Sequence, residues 1–272
     1  MPKGLRLDVR VLDLGLFDSR EAAQAAIMDG GIVVDGQTVT KPGISVSANA
    51  KIELAPGWGK PKYVSRGGLK LERALQIFKV SAAGRICLDI GASTGGFTDC
   101  LLKHGARRVY AVDVGYGQLD WSLRNDSRVV VRERVNARNL TADSLYSAGD
   151  QWASLASIDV SFISAAKILP ACLKVLQASE LDLICLIKPQ FEAGRGLVGK
   201  GGVVKSASVH EQVIESLMHK GEDLGLFVHA ITYSPIKGPA GNIEFLAHWR
   251  TDRPPAAPAI APVVADAHRA LE

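Results

Sequence analysis

The stretch "LDIGASTGGF", residues 88–97, decides how the chain is read. A short apolar run carries Asp89 near its end, and three glycines (Gly91, Gly95, Gly96) follow before Phe97 opens the periodic segment "FTDCLLKHG". Strand, glycine turn and helix N-terminus in that order call for a ligand at the strand's carboxyl end. Two common ligands fail on spacing. A phosphate-binding loop G-x-x-x-x-G-K-(S/T) needs lysine after its second glycine, where Phe97 stands, and Gly91, Gly95 and Gly96 do not fit the dinucleotide fingerprint G-x-G-x-x-G. S-adenosylmethionine remains the common answer. The turn from Gly91 through Ser93, Gly95, Gly96 and Phe97 is assigned to it, with Asp89 expected to accept from its amino group and the helix N-terminus to favour its carboxylate.

Outward from this loop, short apolar runs alternate with helical stretches. Strands are expected at "RICLDI", "RVYAVDV", "RVVVRE", "ASIDVSF", "LDLICLIK", "LFVHAIT" and "IEFLAHW", with helices in "SAAKILPACLKVLQ" and "SASVHEQVIESLMHKGEDLG" between them. Near-continuous Val/Ile/Leu strands separated by helices indicate a mostly parallel sheet covered on both faces. Asp113 ends the second of these strands 22 residues beyond Gly91, close to the ~20 expected of an acid that takes ribose hydroxyls. Asn136, in "RVNARNL", is the candidate to meet the adenine.

Composition narrows the class. With 272 residues, 47% of them hydrophobic, the chain can bury a full core. Its longest apolar runs, such as "LDLICLI", fall far short of the ~20 residues a membrane span needs. The start "MPKGLRLDVR" has no hydrophobic region behind its charges, so a cytoplasmic protein with no membrane partner is expected. Four scattered cysteines (Cys87, Cys100, Cys172, Cys185) argue against a disulfide framework or a zinc site. No metal and no obligate protein partner are expected. The net charge of +4 is uneven: Lys60, Lys62, Arg66, Lys70 and Arg73 face only Glu72 over 14 positions, which suits a phosphate-rich partner.

Residues 1–59 read as a small unit. Asp18 is expected to cap a helix carrying Ala22, Ala26 and Ile27 that stops at Gly30-Gly31, and Asp35-Gly36 between "IVV" and "QTV" predicts a type I′ hairpin. The run "RLDVRVLDLGLFDSREAAQAAIMDGGIVVDGQTVTKPGISV" resembles the S4-type RNA-binding domain. That resemblance implies that Arg6, Arg10, Ser19, Arg20 and Gln24 face RNA, and Lys41, Lys62 and Arg66 extend the candidate contacts. Residues 60–66 form a basic linker within the Pro/Gly-rich stretch 55–68, where Trp58 and Tyr63 among Lys and Arg could stack on bases. Residues 67–250 hold the larger domain. The Ala/Pro-rich tail, 251–272, is expected to be disordered.

Which atom accepts the methyl group leaves its own marks. Base-amine methylation calls for (D/N)-P-P-(Y/F), and "DVSF" at 159–162 lacks the prolines; a pyrimidine carbon needs a cysteine nucleophile, and Cys185 inside "LICLIK" reads as core. A ribose hydroxyl needs a base or an orienting cation. Lys188 ends an apolar strand at the sheet's carboxyl edge, Lys70 sits in a helix's first turn, where the dipole disfavours it, and Glu244 begins the strand "IEFLAHW".

These residues resemble the Lys-Asp-Lys-Glu tetrad of FtsJ-like ribose 2′-O-methyltransferases: Lys70 in "SRGGLKL", Asp159 in "DVSF", Lys188 in "LIKPQFE" and Glu244 in "GNIEF". With the S4-type module, the motifs "YVSRGGLKLERAL", "LIKPQFEAGR" and "SPIKGPAGNIEFL" resemble the TlyA, or hemolysin A, family from about residue 5 to 249. One departure is Lys205-Ser206 where that family leads one to expect Arg-Asp. The resemblance implies an α/β fold: a class I, Rossmann-like S-adenosylmethionine-dependent methyltransferase domain behind a small α+β S4-type domain. It also implies 2′-O-methylation of cytidine in ribosomal RNA, with ribosomal subunits as partners and an effect on susceptibility to capreomycin-type antibiotics. A non-catalytic ribosome-assembly factor, a membrane-active hemolysin and a pseudouridine synthase are the competing classes. The intact tetrad, the absence of a spanning segment, and the glycine loop with Asp113 speak against them in turn.

Overall fold

Asp35 and Gly36 both take positive φ, 48° and 83°, which is what a type I′ turn requires and what closes the expected hairpin. The computed structural model describes residues 4–17, 19–28, 30–55 and 62–271, and the chain divides into two units, Met1–Lys62 and Tyr63–Glu272. In the first, β1 (Leu5–Arg6) leads into α1 (Leu7–Asp13) and α2 (Arg20–Met28), followed by β2 (Ile32–Val34), β3 (Gln37–Val39), β4 (Ser45–Val46) and β5 (Ile52–Leu54). Strand β2 pairs antiparallel with both β3 and β5, and β1 pairs with β4. Leu7, Val11, Ala23, Ile27, Ile32 and Val46 form the core. Ala23 and Ala26, but not Ala22, are the buried alanines of α2. Asp18 and Trp58 lie outside the described residues. Ser19 caps α2, its hydroxyl accepting from the Ala22 amide at 3.1 Å.

The second unit runs α3 (Gly67–Phe78), β6 (Ile86–Ile90), α4 (Gly96–Lys103), β7 (Arg108–Val112), α5 (Trp121–Arg124), β8 (Val129–Arg132), α6 (Ala142–Leu145) and β9 (Leu155–Ile158). It continues with α7 (Leu169–Leu173), β10 (Asp182–Ile187), α8 (Pro189–Glu192), α9 (Ala207–Glu222), β11 (Phe227–Tyr233), β12 (Phe245–Arg250) and α10 (Ile260–Leu271). All seven expected strands are present. They form one sheet in the order β11-β12-β10-β9-β6-β7-β8, with only β12 antiparallel to its neighbours. Every residue of β6 and β9 is buried, as a sheet covered on both faces demands.

Chain direction across the sheet reverses between β6 and β9, so the crevice of a doubly wound fold opens at their carboxyl ends. Two expectations are corrected. "SAAKILPACLKVLQ" is not one helix: a 3₁₀ turn (Ala165–Lys167) precedes the short α7, because Pro170 fits only a first helical turn. The tail expected to be disordered contains α10, whose Val264 and Ala267 are fully buried in the main core. Its apolar residues recur at helical spacing, which the Ala/Pro content masked.

Candidate active site

Gly91, at the end of β6, has φ +83°, and a Cβ there would overlap the Asp159 carbonyl oxygen at the end of β9. A Cβ at Gly96 would overlap Ser65 and crowd the Gly68 amide, where α4 packs against α3. The glycines of the loop therefore let the protein's own backbone close up at the switch point. Two clefts flank this closure. One, about 830 Å³, is walled by α3, the glycine turn and the segments after β10 and β11; the other, about 490 Å³, opens over the ends of β6, β7 and β8. Gly91, Ser93, Asp159, Ser161 and Phe162 line both.

The four tetrad residues meet in the larger cleft. Lys70 Nζ lies 2.5 Å from Glu244 Oε2, with both side chains buried. Helix α3 points its positive end toward this lysine, and the Glu244 carboxylate offsets that repulsion. Lys188 Nζ lies 2.6 Å from Asp159 Oδ1 and donates to Ser161 Oγ at 2.8 Å. The Lys188–Asp159 contact acts through charge, since Asp159 Oδ1 has no aligned hydrogen-bond donor. Gln190 Nε2 sits 3.5 Å from Glu244 Oε1, while Gln190 Oε1 is buried with no hydrogen-bond partner and can accept from a ligand. Arg66 and Lys237 add two positive charges to the cleft wall, giving it a sign suited to a polyanion.

The smaller cleft combines apolar walls with polar groups of the kind that could hold a nucleoside. Ile90, Val112, Val135, Ile163 and Ile168 supply apolar walls. Asp113 accepts from the Ser93 amide at 2.8 Å and the Gly115 amide at 2.6 Å, and a carboxylate with about four acceptor sites can still take ribose hydroxyls. Asn136 Oδ1 accepts from the Arg138 amide, leaving its NH₂ as a donor toward a ring nitrogen. Gly96 and Phe97 line the larger cleft, whereas Gly95 lines neither. Asp89 is also placed elsewhere than expected. It is fully buried, lines neither cleft, and accepts from Thr98 Oγ1 at 2.7 Å and Ser157 Oγ at 2.9 Å. It ties α4 and β9 to β6, and burial pushes its carboxyl up to about 7.

In the first unit, the candidate RNA-facing residues converge on an acid that sequence reasoning passed over. Asp8 is fully buried and accepts from Arg6 Nε and Nη2, Arg20 Nε and Nη2, and Gln24 Nε2, all within 2.8–3.0 Å. Arg6 foremost, with Gln24 and Arg20, holds its carboxyl well below the usual range. Both arginines remain about half exposed. Arg10 instead donates to the Ala48 carbonyl at 3.3 Å, and Ser19 is occupied as a helix cap. Lys41 and Lys62 are exposed. In the second unit, Arg66 is exposed at the larger cleft, but Tyr63 is only 2% exposed and packs against Gly68, so it offers no stacking face.

Ser161, Phe162, Gln190 and Asn242 were also missed. Phe162 is 91% exposed, has φ +65° and leans on Phe191 with ring centroids 5.1 Å apart. A positive φ is uncommon for a bulky residue. Only its place three residues beyond Asp159 and one beyond Ser161, in "DVSF", signalled it in the sequence.

A model of FtsJ-like methyltransferases matches residues 63–251, and an S4 domain model matches residues 5–52. The chain is 46% identical over 244 residues to a candidate rRNA methyltransferase, YqxC, from Bacillus subtilis, covering 89% of this chain and 84% of that one. It is 43% identical over 251 residues to the 16S/23S rRNA (cytidine-2′-O)-methyltransferase TlyA of Mycobacterium tuberculosis, covering 92% and 91%. A solved structure of a candidate hemolysin from Streptococcus thermophilus superimposes with TM-score 0.76 and 44% identity, covering 99% and 98%. With glycine turn, switch-point cleft and family model in agreement over the second unit, the chain belongs to the FtsJ-like methyltransferases and carries an S4 domain ahead of its methyltransferase domain.

Proposed function

We propose that this enzyme methylates the ribose 2′-hydroxyl of cytidine in ribosomal RNA, with the small subunit as substrate and the large subunit as a second one. Loss of the modification would then alter susceptibility to capreomycin-type antibiotics. The observation that carries the reading is the placement of Lys70, Asp159, Lys188 and Glu244 around one basic cleft, beside a second cleft shaped for an adenosine. The relative from Mycobacterium tuberculosis has this activity in its name.

S-adenosylmethionine, when bound, supplies an electrophilic methyl group. Asp113 and Asn136 would hold its adenosine in the smaller cleft, with Gly91 and Ser93 on the wall shared by the two clefts and Gly96 and Phe97 beside them in the larger one. On the other side Lys188, held by the charge of Asp159, orients the 2′-hydroxyl as an ammonium or, once it has lost a proton to solvent, takes the hydroxyl's proton as a neutral amine. Lys70 and Glu244 fix the ribose from the opposite wall. An in-line attack across the shared wall of Gly91 and Asp159 needs no more of the protein than positioning and charge. The Asp8 cluster of the S4 domain offers two preorganised guanidinium groups to the RNA backbone. The hemolysin reading would require a membrane-active segment; no helix among the described residues is long and apolar enough to cross a membrane.

Transfer of labelled methyl to purified unmodified ribosomal subunits, followed by nucleoside mass spectrometry, tests the proposal. It predicts 2′-O-methylcytidine with the wild-type protein. A bound cofactor with no label transferred to either subunit would favour a non-catalytic role in ribosome assembly.

A further inference from the structure

Two segments contribute to the wall of the larger cleft: residues 199–204, through Gly201 and Gly202, and the loop 236–244 that ends in Glu244. Asn242, fully buried, staples them. Its Oδ1 accepts from the Val204 amide and its Nδ2 donates to the Gly202 carbonyl, each at 2.9 Å. Gly202 and Asn242 both face the cleft.

The carbonyl of Val204 is held from behind. His210, fully buried on α9, places Nε2 3.2 Å from that oxygen and Nδ1 3.0 Å from Nε2 of His268 on α10. A carbonyl only accepts, so His210 Nε2 carries the hydrogen. Burial and His268 push the His210 pKa down to about 4, which keeps the ring neutral and leaves Nδ1 a lone pair. His268 Nε2 must therefore be the donor to it. We infer that His268 and His210 position the substrate wall of the cleft, making the C-terminal helix α10 a brace for RNA binding.

Three further observations support the brace. Helix α10 is anchored independently of the histidines by Val264 and Ala267, fully buried, and by Ile260, Val263 and Leu271 packed against the core. The Phe245 ring meets His210 edge-on at 5.3 Å, so the imidazole lies against the strand that follows Glu244. Finally, α10 lies beyond residue 251, where the match to the FtsJ-like family model stops. The segment it braces carries Gly199, Gly201 and Gly202, and such backbone loses much freedom on being fixed.

The inference rests on the reading of the larger cleft as the RNA site, and its test separates the two. Full-length His268→Ala and His268→Gln proteins are compared with wild type by hydrogen exchange over residues 199–206 without RNA, then by methyl transfer to ribosomal subunits. His268→Ala leaves a buried lone pair unmet, so exchange in this segment should rise about fivefold. KM for subunits should rise by a similar factor, with kcat and cofactor affinity little changed. His268→Gln, whose amide can donate to His210 Nδ1, should restore both. Unchanged exchange at 199–206 in His268→Ala, or equal exchange in the Ala and Gln variants, overturns the brace whatever the enzyme's substrate proves to be. Altered exchange without any methyl transfer by the wild type would instead count against the proposed activity.

Discussion

The Asp159 carboxylate and the Lys188 ammonium lie 2.6 Å apart just beyond the ends of two neighbouring parallel strands. The register pairs Ile158 with Cys185, so Lys188 stands two residues farther along its strand than the position level with Asp159, and its long side chain is held back toward the switch point. Removing the lysine takes away the only group proposed to touch the attacking oxygen directly. Lys188→Ala should lower methyl transfer by at least about 10²-fold while leaving cofactor affinity unchanged. Labelled transfer beside calorimetric cofactor binding checks both halves.

Gly91→Ala places a methyl group against the Asp159 carbonyl at a positive φ. Strain and forced separation of β6 from β9 should cost roughly 1–3 kcal/mol of stability and weaken cofactor binding, since Gly91 lines both clefts. Denaturant unfolding and a cofactor titration on the same preparation would show this. Wild-type behaviour in both would refute the close approach.

Asp89 ties stability to pH. Its carboxyl sits near 7 in the folded protein, raised first by burial, against about 3.9 in an unfolded chain. Below pH ~4 both states hold the proton and nothing is lost; as pH rises toward ~7 the folded state loses stability at up to about 1.4 kcal/mol per unit, because the unfolded chain ionises freely. Asp89→Asn keeps an acceptor and a donor for the rotatable Thr98 and Ser157 hydroxyls. The variant should therefore be more stable than wild type at pH 8 and match it near pH 4, as read by urea unfolding at several pH values.

Phe162→Ala should leave stability within about 0.5 kcal/mol of wild type, the usual range for an exposed side chain. It should nonetheless impair methyl transfer, because the ring stands where the two clefts meet. Normal transfer by a normally folded Phe162→Ala protein would remove this residue from the site.

Asp8→Ala leaves the guanidinium groups of Arg6 and Arg20 without their common acceptor. RNA affinity of the full chain should fall about tenfold, in line with the loss of one charge-assisted anchor, with cofactor affinity untouched. Filter binding across a salt series checks this, since loss of one phosphate anchor should reduce the salt slope by close to one.

Much of the molecule was legible in one dimension because its signals are local. Strand runs, the Asp35-Gly36 turn and the tetrad motifs each declare themselves within a dozen residues. What stayed hidden depends on contacts between distant segments. Asp89 looked like a ligand because it precedes a glycine turn; only the arrival of Thr98 and Ser157 shows both its oxygens occupied. Asp8 was read past in "RLDVR" because its three partners lie 2, 12 and 16 residues away on separate turns. Helix α10 was concealed by proline and alanine, which depress an average without disturbing the spacing of Ile260, Val264, Ala267 and Leu271.

The partition formed by Gly91, Asp159, Ser161 and Phe162 divides this protein's capacity to change. On the proposed reading, donor and acceptor chambers are built from different stretches of chain, the first from the turns after β6, β7 and β8, the second from α3 and the segments after β10 and β11. Drift in residues 193–206 or 236–243 can reshape which RNA is received while the donor chamber keeps its form. A change in the partition is felt by both chambers at once. If the clefts act as proposed, selection for a new RNA target would have room in the outer segments and almost none at the wall between.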